Sequence, residues 1–316
     1  MPTTQQVHED AALTDFSVAY FHERGSTIAR KMFAPTPSAK QSDRYFTYTK
    51  ADLLRVDAQP YSGKGATAGR DYGLSKTTYF VEEWGLHYDV SRNERANADA
   101  VLDPEEDAAR VVMDDLMIAE EREWAASAFV TGVWGTDVVG TTDFTLWSDA
   151  ASTPIENLRT GITTILRNTG RKPNKLALGW NTWATGLADH PDILDRIKHT
   201  QTGVVTEALV AGVLQLDEVN VGMSVRNTAA EGLAVSMAFN IGSNALLIHA
   251  PNTAGPRTAV AGRTFTWAGL TGNADGIMAE RFDVPEEGAY PRVQVITTFG
   301  HVITGSDLGY FFSAAV

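Results

Sequence analysis

Residues 173–222, PNKLALGWNTWATGLADHPDILDRIKHTQTGVVTEALVAGVLQLDEVNVG, have the punctuation of one compact unit of strands and helices. The apolar run at 175–178 lies between Pro-Asn and Gly, which is typical of a buried strand. A helix capped by Asn181 is expected next, and it ends at His190 because the residue before Pro191 is pushed out of the helical region. The stretch thus predicts architecture and contains no recognisable catalytic motif.

The second half of this stretch predicts further helices and a closing strand. Apolar residues repeat at helical spacing from Asp192 onwards and, after a break at Gly203, again over residues 206–213. Residues 219–221 then return to a strand pattern. Together with a helix expected before residue 173, these elements predict an α+β fold class.

Composition restricts the classes of function. The chain has 316 residues, 43% of them hydrophobic, which is enough to bury a large core in one large domain or two to three smaller ones. Its 26 basic and 39 acidic residues give a formal charge of -13, which opposes nonspecific capture by nucleic acid or an anionic membrane. The absence of cysteine excludes disulfides, thiolate metal sites and cysteine nucleophiles.

Nothing in the sequence predicts export or membrane insertion. The N-terminal residues lack the basic and apolar regions of a secretory signal, and no apolar run approaches the ~20 residues that span a bilayer. We therefore expect synthesis and assembly in a reducing cytoplasm, with no membrane partner.

The N-terminal part of the chain predicts an arm followed by a β-hairpin. Residues 1–45 resemble an arm, because the prolines and small polar residues at 34–43 disfavour a packed core. Residues 45–55 and 76–90 are rich in the aromatic and β-branched residues of strands. The polar, glycine-rich segment 61–73 between them would form the tip of a long projecting hairpin, the alternative being an ordinary mobile surface loop.

A long helix is predicted over about residues 103–129. Asp103 can cap it, Pro104 suits its first position, and Glu106 completes a capping box. At 1.5 Å per residue it would be ~40 Å long and would brace the whole subunit. Its predicted apolar face comprises Ala109, Val112, Met113, Leu116 and Met117, and its predicted wet face comprises Asp107, Arg110, Asp114 and Glu121.

The rest of the chain predicts one more long helix and a β-rich end. An amphipathic helix begins at Pro154 and is ended by Gly170. Candidate strands follow residue 222 at 233–238, 245–248, 264–267, 292–299 and 301–304.

The sequence offers no convincing catalytic or cofactor site. Residues 63–69 superficially resemble a phosphate loop but lack both the Walker spacing and a dinucleotide fingerprint. There is no HExxH and no G-x-S-x-G motif, and the seven histidines have no metal-ligand spacing. His190 beside Asp192 is the one general-base candidate, and we interpret it, with Pro191, as a turn that stops a helix.

Charge is distributed unevenly along the chain. Residues 24–55 contain seven basic and two acidic residues, a local +5, whereas residues 99–123 contain ten acidic residues and two arginines, a local -8. The adjacent acid pairs, such as those at 120 and 121, are interpreted as solvated or interface charge. We hypothesise that the basic arm and the acidic helix pair, within or between subunits, through Arg30, Lys31, Lys40, Arg44, Asp114 and Glu121.

The order of these parts resembles that of tailed-bacteriophage major capsid proteins. The resemblance rests on the combination of several blocks and covers nearly the whole chain. The blocks are LTDFSVAYFHE at 13–23, YFTYTKADLLR at 45–55, YFVEEWGLHYDVSRNERANADAVLD at 79–103 and HPDILDRIKHTQTG at 190–203.

This resemblance implies the tailed-phage capsid fold, with an N-arm, an E-loop β-hairpin, a P-domain that contains the long spine helix, and an α/β A-domain. The N-arm and the E-loop of such proteins reach onto neighbouring subunits. The implied bounds are 1–45 for the N-arm, 46–90 for the E-loop and its flanking strands, 91–153 with 252–305 for the P-domain, and 154–251 with 306–316 for the A-domain.

The resemblance also implies a function without enzyme activity or cofactors. The chain would self-assemble as hexamers and pentamers into an icosahedral shell around phage double-stranded DNA, in the host bacterial cytoplasm, with scaffold, portal and decoration proteins as further partners. Lys64 and Arg70 at the hairpin tip would contact neighbouring subunits, and Lys64 would be the donor if the shell carried a lysine-to-asparagine cross-link. The alternatives are an encapsulin-like nanocompartment shell and an enzyme of unrecognised class.

Overall fold

Two five-stranded sheets organise the chain in its computed structural model. The structure describes residues 25–48, 50–61, 63, 66–71, 73–91, 93, 104–197, 204–252, 255, 258–284 and 290–316. Its helices are α1 Ala29–Met32, α2 Lys50–Leu54, α3 Pro104–Ala128, α4 Pro154–Thr169, α5 Trp180–Gly186, α6 Pro191–Ile197, α7 Glu207–Leu214 and α8 Ala268–Thr271. Its strands are β1 Pro35–Ser38, β2 Ser42–Tyr48, β3 Leu74–Phe80, β4 Glu82–Asp89, β5 Thr136–Val139, β6 Lys175–Gly179, β7 Glu218–Gly222, β8 Val225–Asn227, β9 Met237–Phe239, β10 Ala245–Ile248, β11 Gly262–Trp267, β12 Ile277–Val284, β13 Tyr290–Ile303 and β14 Gly309–Ser313.

The first sheet, here called the core sheet, has the strand order β5-β14-β10-β6-β7. Strand β10 pairs antiparallel with both neighbours, whereas the outer pairs, β5 with β14 and β6 with β7, are parallel. Every residue of β6 and of β10 is buried, in keeping with the apolar runs at 176–178 and 245–248. The core sheet therefore lies in the middle of a layered structure.

Alternate residues of the core sheet point to its two faces. Leu176 and Leu247 pack with Leu158 and Ile165 of α4 on one face. The preceding or following residues, such as Leu246, pack on the other face in a second apolar cluster. That second cluster also contains Ile28, Met32 and Phe33 from the start of the described chain and Trp124 and Ala128 from the end of α3. Residues 28–33, predicted to belong to an arm, are therefore part of the chain's own core.

The second sheet, here called the β13 sheet, has the order β1-β11-β13-β12, with β4 also paired to β13. Helix α3 packs on it, because Val112 and Leu116 contact Val295 in one small buried cluster. Residues Arg292–Phe299 of β13 pair with β4, and residues Gly300–Ile303 pair with β11. The single 14-residue strand β13 replaces the two strands predicted at 292–299 and 301–304.

The predicted hairpin exists, but its strands differ in extent from the prediction. Strands β2 and β3 pair antiparallel from Ser42↔Phe80 to Tyr48↔Leu74. Residues 50–54, predicted as strand, form α2, because Lys, Ala and Leu favour a helix once the chain leaves the sheet. The strand predicted at 76–90 is divided at the buried Val81, and its second half, β4, joins the β13 sheet.

The spine helix runs from Pro104 to Ala128, close to the predicted bounds, and its predicted cap Asp103 lies outside the described residues. The predicted wet face is wrong at one position, because Glu121 is fully buried. The neighbouring Glu120, interpreted as solvated or interface charge, is also buried. Conversely, Met117 is 41% exposed. The helix turns these carboxylates inward because the start of the described chain packs against its C-terminal half.

Several local predictions around the core sheet are confirmed. Helix α4 begins at Pro154 and ends at Gly170, which adopts the left-handed conformation with φ 69°. The strand at 245–248 has its predicted bounds.

Two other local predictions differ from the structure. Asn181 does not cap its helix, since α5 starts at Trp180, before Asn181, with Gly179 in the cap position. Strand β5 pairs with β14, so residues 136–139 join the core sheet although they were expected in the P-domain.

Candidate assembly site

The start of the described chain is fastened to the spine helix by a buried carboxylate. Oε2 of Glu121 accepts hydrogen bonds from the backbone N–H groups of Ile28 (3.0 Å) and Ala29 (2.8 Å). Its other oxygen, Oε1, is buried and finds no hydrogen-bond partner in the described part of the chain. We call these residues, together with Arg30 and Glu120, the arm latch.

An ion pair completes the arm latch. The Arg30 Nε atom lies 2.9 Å from both carboxylate oxygens of Glu120, whose side chain is only 6% exposed. The guanidinium also donates to the backbone oxygen of Asp275 at 3.0 Å. The basic segment and the acidic helix thus meet within one chain.

Two titratable groups, Glu121 in the arm latch and His301, have shifted pKa values. Burial raises the pKa of Glu121 to about 7, although its two backbone hydrogen bonds act in the opposite direction, and the nearby Glu120 raises it further. Burial also lowers the pKa of His301 to about 4, with a contribution from the positive charge of Arg30. His301 is therefore neutral at pH 7, whereas Glu121 titrates near that pH.

The hydrogen bonds and ion pairs described for the other basic residues of the hypothesis go to partners outside the spine helix. The exposed Lys31 ammonium donates to the backbone oxygen of Gly25 at 3.3 Å, and Lys40 lies 3.8 Å from Asp43. Arg44 is exposed on β2, where its backbone N–H donates to the Asp43 carboxylate. Asp114 lies half-buried on α3, outside the arm latch.

The hairpin tip is partly described. Arg70 donates to the backbone oxygen of Asp52, and its Nε lies 3.9 Å from the Asp57 carboxylate. These contacts fold the tip back toward α2. Lys64, the proposed cross-link donor, lies outside the described residues.

His190 lies between α5 and α6, and Pro191 is the first residue of α6. The imidazole is 4% exposed, and its Nδ1 accepts the backbone N–H of Asp192 at 3.1 Å. Nε2 must then carry the proton, and it lies 3.1 Å from the backbone oxygen of Asp149 and 3.0 Å from Ser152 Oγ. Both ring nitrogens are thus occupied by structural contacts, which favours the helix-stop interpretation over general-base chemistry.

Large apolar side chains are exposed on two hairpins that form separate two-stranded sheets. On the β2–β3 hairpin, Phe46 is 54% and Phe80 57% exposed. The second element is the β8–β9 hairpin with its connecting loop, where Leu233, Val235 and Met237 are 70%, 74% and 59% exposed. The sequence prediction placed a strand at 233–238 and overlooked this surface. The sequence did contain a signal for this surface. Leu233, Val235 and Met237 alternate along the chain, and an alternating apolar series without an assigned partner strand indicates an uncovered face.

Across the described ranges, no group of three or more histidine, aspartate or glutamate side chains is placed to hold a metal ion. The same residues include no helix with the length and apolarity required to traverse a bilayer.

Several solved structures have the same fold as this chain. A phage-related protein of Bordetella bronchiseptica RB50 superimposes with a TM-score of 0.68 at 18% identity, covering 93% of this chain and 94% of that one. The capsid protein of cyanophage P-SCSP1u gives a TM-score of 0.59 at 13% identity and covers 95% and 94%. The SrpI encapsulin of Synechococcus elongatus PCC 7942 gives 0.55 at 12% identity and covers 96% and 95%. The chain thus has the shell-protein fold shared by tailed-phage capsids and encapsulins, which confirms the predicted fold class.

The chain is also similar in sequence, over almost its whole length, to a phage protein. The major capsid protein of Pseudomonas phage JBD67 is 27% identical over 312 residues, which cover 97% of either chain. No family model matches the chain. The similarity in sequence and in fold confirms the predicted resemblance to phage major capsid proteins.

Proposed function

We propose that this chain is the subunit that assembles, as hexamers and pentamers, into the closed icosahedral shell around phage double-stranded DNA. Assembly would take place in the host bacterial cytoplasm, with scaffold, portal and decoration proteins as further partners. The observation that carries the proposal is the contrast between a core sheet whose strands β6 and β10 are fully buried and large apolar side chains exposed on the β2–β3 and β8–β9 hairpins.

The hairpin contacts the rest of its own chain on one face, where Tyr79 stacks on Phe265, and its other face is exposed. Strands β2 and β3 form a separate two-stranded sheet, and a two-stranded hairpin alone is marginally stable in water. Six of the seven β3 residues are exposed, Leu74 and Phe80 among them. Exposed apolar patches of this kind mark interaction surfaces, and neighbouring copies of the same chain are the occupant that a closed shell supplies.

We also propose which part of the chain forms each domain of the capsid fold. The hairpin within residues 46–90 acts as the E-loop, and the β13 sheet with α3 acts as the P-domain. The core sheet with its helices acts as the A-domain, to which strand β5 is added. Of the predicted N-arm, residues 1–45, the part before the arm latch serves as the arm, because residues 28–33 pack in the chain's own core.

The charge of the chain suits a container for DNA. With a formal charge of -13, the subunit would not hold the packaged duplex by general electrostatic attraction, because such binding requires lysine and arginine to displace counterions from phosphate. Encapsulin-like cargo enclosure is the alternative function that the fold allows. The two are distinguished by what purified particles contain, which is nucleic acid for a phage shell and a cargo protein for a nanocompartment.

Electron cryo-microscopy of the purified chain tests the proposal. We expect closed icosahedral particles with hexameric and pentameric capsomers for the wild type and for Val235→Thr, which keeps the side-chain shape. We expect Val235→Asp to give folded subunits without closed particles, because a carboxylate would be buried between copies. A wild-type protein that stays monomeric or forms small oligomers with a polar pocket would refute the shell function. Recovered cargo protein in place of DNA would refute the phage assignment alone.

A further inference from the structure

A lysine is almost completely buried at the beginning of β6, in the interior of the chain. The side chain of Lys175 is 1% exposed, although lysine is among the residues least often buried. Its Nζ donates to the backbone oxygen of Lys31 and to Oδ1 of Asn252, the latter at 2.5 Å. The amine is thus held against the side-chain amide of an asparagine that follows β10.

A carboxylate closes this group of side chains. Glu218 lies beside Lys175 in the parallel register of β6 and β7. Its Oε1 accepts a hydrogen bond from Asn252 Nδ2 at 3.1 Å, and its Oε2 lies 3.8 Å from Lys175 Nζ. The amide carbonyl therefore faces the amine, whereas the amide nitrogen faces the carboxylate.

The electrostatics of the group favour a nucleophilic amine. Burial lowers the pKa of Lys175, and the nearby charges of Glu218 and Asp217 only partly oppose this. For Glu218, burial acts to raise the pKa, but the Asn252 amide and the Lys175 charge hold it below its usual value. The neutral amine is thereby made more accessible beside an ionised carboxylate, the combination used to activate lysine nucleophiles.

We propose that Lys175 and Asn252 condense spontaneously within the folded chain into an isopeptide bond, with Glu218 as the proton carrier. The Nζ lone pair attacks Cγ of Asn252, Glu218 takes a proton from the attacking nitrogen and delivers it to Nδ2, and the Cγ–Nδ2 bond breaks. An amine and a primary amide become one secondary amide and one ammonia. Atoms and charge balance without an oxidant, a reductant or any further reactant.

The bond would connect parts of the fold that hydrogen bonds already hold together. Lys175 pairs with Ile248 across β6 and β10, so the new amide would close the same corner covalently. Because both partners belong to one chain, the reaction needs folding but no neighbouring subunit. In this respect it differs from a cross-link through Lys64, which would join two subunits.

Intact mass spectrometry of the full-length folded protein tests the proposal. We expect the wild-type mass to be lower than the sequence mass by one ammonia, and tandem spectra of a digest to contain a branched peptide that joins Lys175 to Asn252. Glu218→Gln, checked for folding by circular dichroism, should retain the full mass. Lys172→Ala, which changes an exposed neighbouring lysine, should still lose ammonia.

Asparagine also loses ammonia when it cyclises on its own backbone, and the branched peptide separates the two reactions. Lys175→Arg should abolish the mass loss if the lysine is the nucleophile. A folded wild type with the full sequence mass, or with a mass loss that survives in Lys175→Arg, would overturn the proposal. A Glu218→Gln protein that still forms the branched peptide would overturn the role of the carboxylate.

Discussion

The core sheet and the β2–β3 hairpin place their apolar residues in opposite environments. Strands β6 and β10 are buried along their whole length, and helices or the start of the chain cover both faces. Strand β3 buries one residue, Tyr79, and exposes the other six. The comparison teaches that one part of the molecule buries its apolar residues within a single chain, whereas the other part leaves large apolar side chains, such as Phe46 and Phe80, exposed.

The largest expected effect is on the core side of this comparison. Leu247→Ala should lower the free energy of unfolding by about 2–5 kcal/mol, because the fully buried Leu247 contacts α4 and cannot be replaced without a cavity. Denaturant unfolding of the purified protein measures the change. The matched control is Leu74→Ala on β3, where the leucine is 47% exposed and the change should stay within about 0.5 kcal/mol. Equal losses at the two leucines would break the comparison.

The arm latch should give the next largest effect, as a dependence on pH. The pKa of Glu121 is about 7 in the folded chain and 4.5 in the reference state, so the protonated form stabilises the fold. That contribution is fully present below pH 4.5 and is lost as the pH rises through 7. The difference amounts to about 3 kcal/mol at 1.36 kcal/mol per unit.

Glu121→Gln removes this titration, since the amide oxygen still accepts from Ile28 and Ala29. The variant should therefore be more stable than the wild type at pH 8 and lose most of that advantage at pH 5. Unfolding curves at the two pH values provide the measurement. Glu123→Gln makes the same change at a 39%-exposed carboxylate on the same helix and is the matched control. An unchanged profile in Glu121→Gln would contradict the assignment.

The smallest effect on the chain is expected in the hairpin. Phe80→Ser removes a 57%-exposed ring and should change the free energy of unfolding by about 0.5 kcal/mol or less. The same change should sharply reduce the yield of closed particles, as measured by sedimentation and microscopy, whereas Phe80→Tyr should preserve it. A Phe80→Ser protein that assembles normally would show that the exposed face of the hairpin has no partner.

The parts of the fold that sequence predicted well are those with local signals. Pro154 and Gly170 bound a helix because each imposes its own backbone conformation, and residues 245–248 form a strand because a short apolar run admits few alternatives. Helix periodicity is also a local signal, and it placed Glu121 wrongly on the wet face. It registers polarity along one helix and contains no information about backbone N–H groups 92 and 93 residues away in sequence that require an acceptor.

The candidate sites depended even more on distant residues. Arg30 was singled out from local charge, but its partner Glu120 was interpreted as solvated or interface charge. Lys175 was read only as the first residue of a strand. Its partner Asn252 lies 77 residues further along the chain, and only the pairing of β6 with β7 and β10 brings the amine, amide and carboxylate together.

Strand β13 determines how the molecule responds to tension. A pull on the hairpin tip passes through Val81 into β4, which is paired with β13 over eight residues. Antiparallel hydrogen bonds run perpendicular to the strands, so tension along β4 loads all eight pairs in shear rather than opening them one at a time. The last four residues of β13 are paired with β11, which is in turn paired with β1 just beyond the arm latch. Traction applied to the hairpin is thereby transmitted along β13 and then through β11 and β1 to the residues that follow the arm latch.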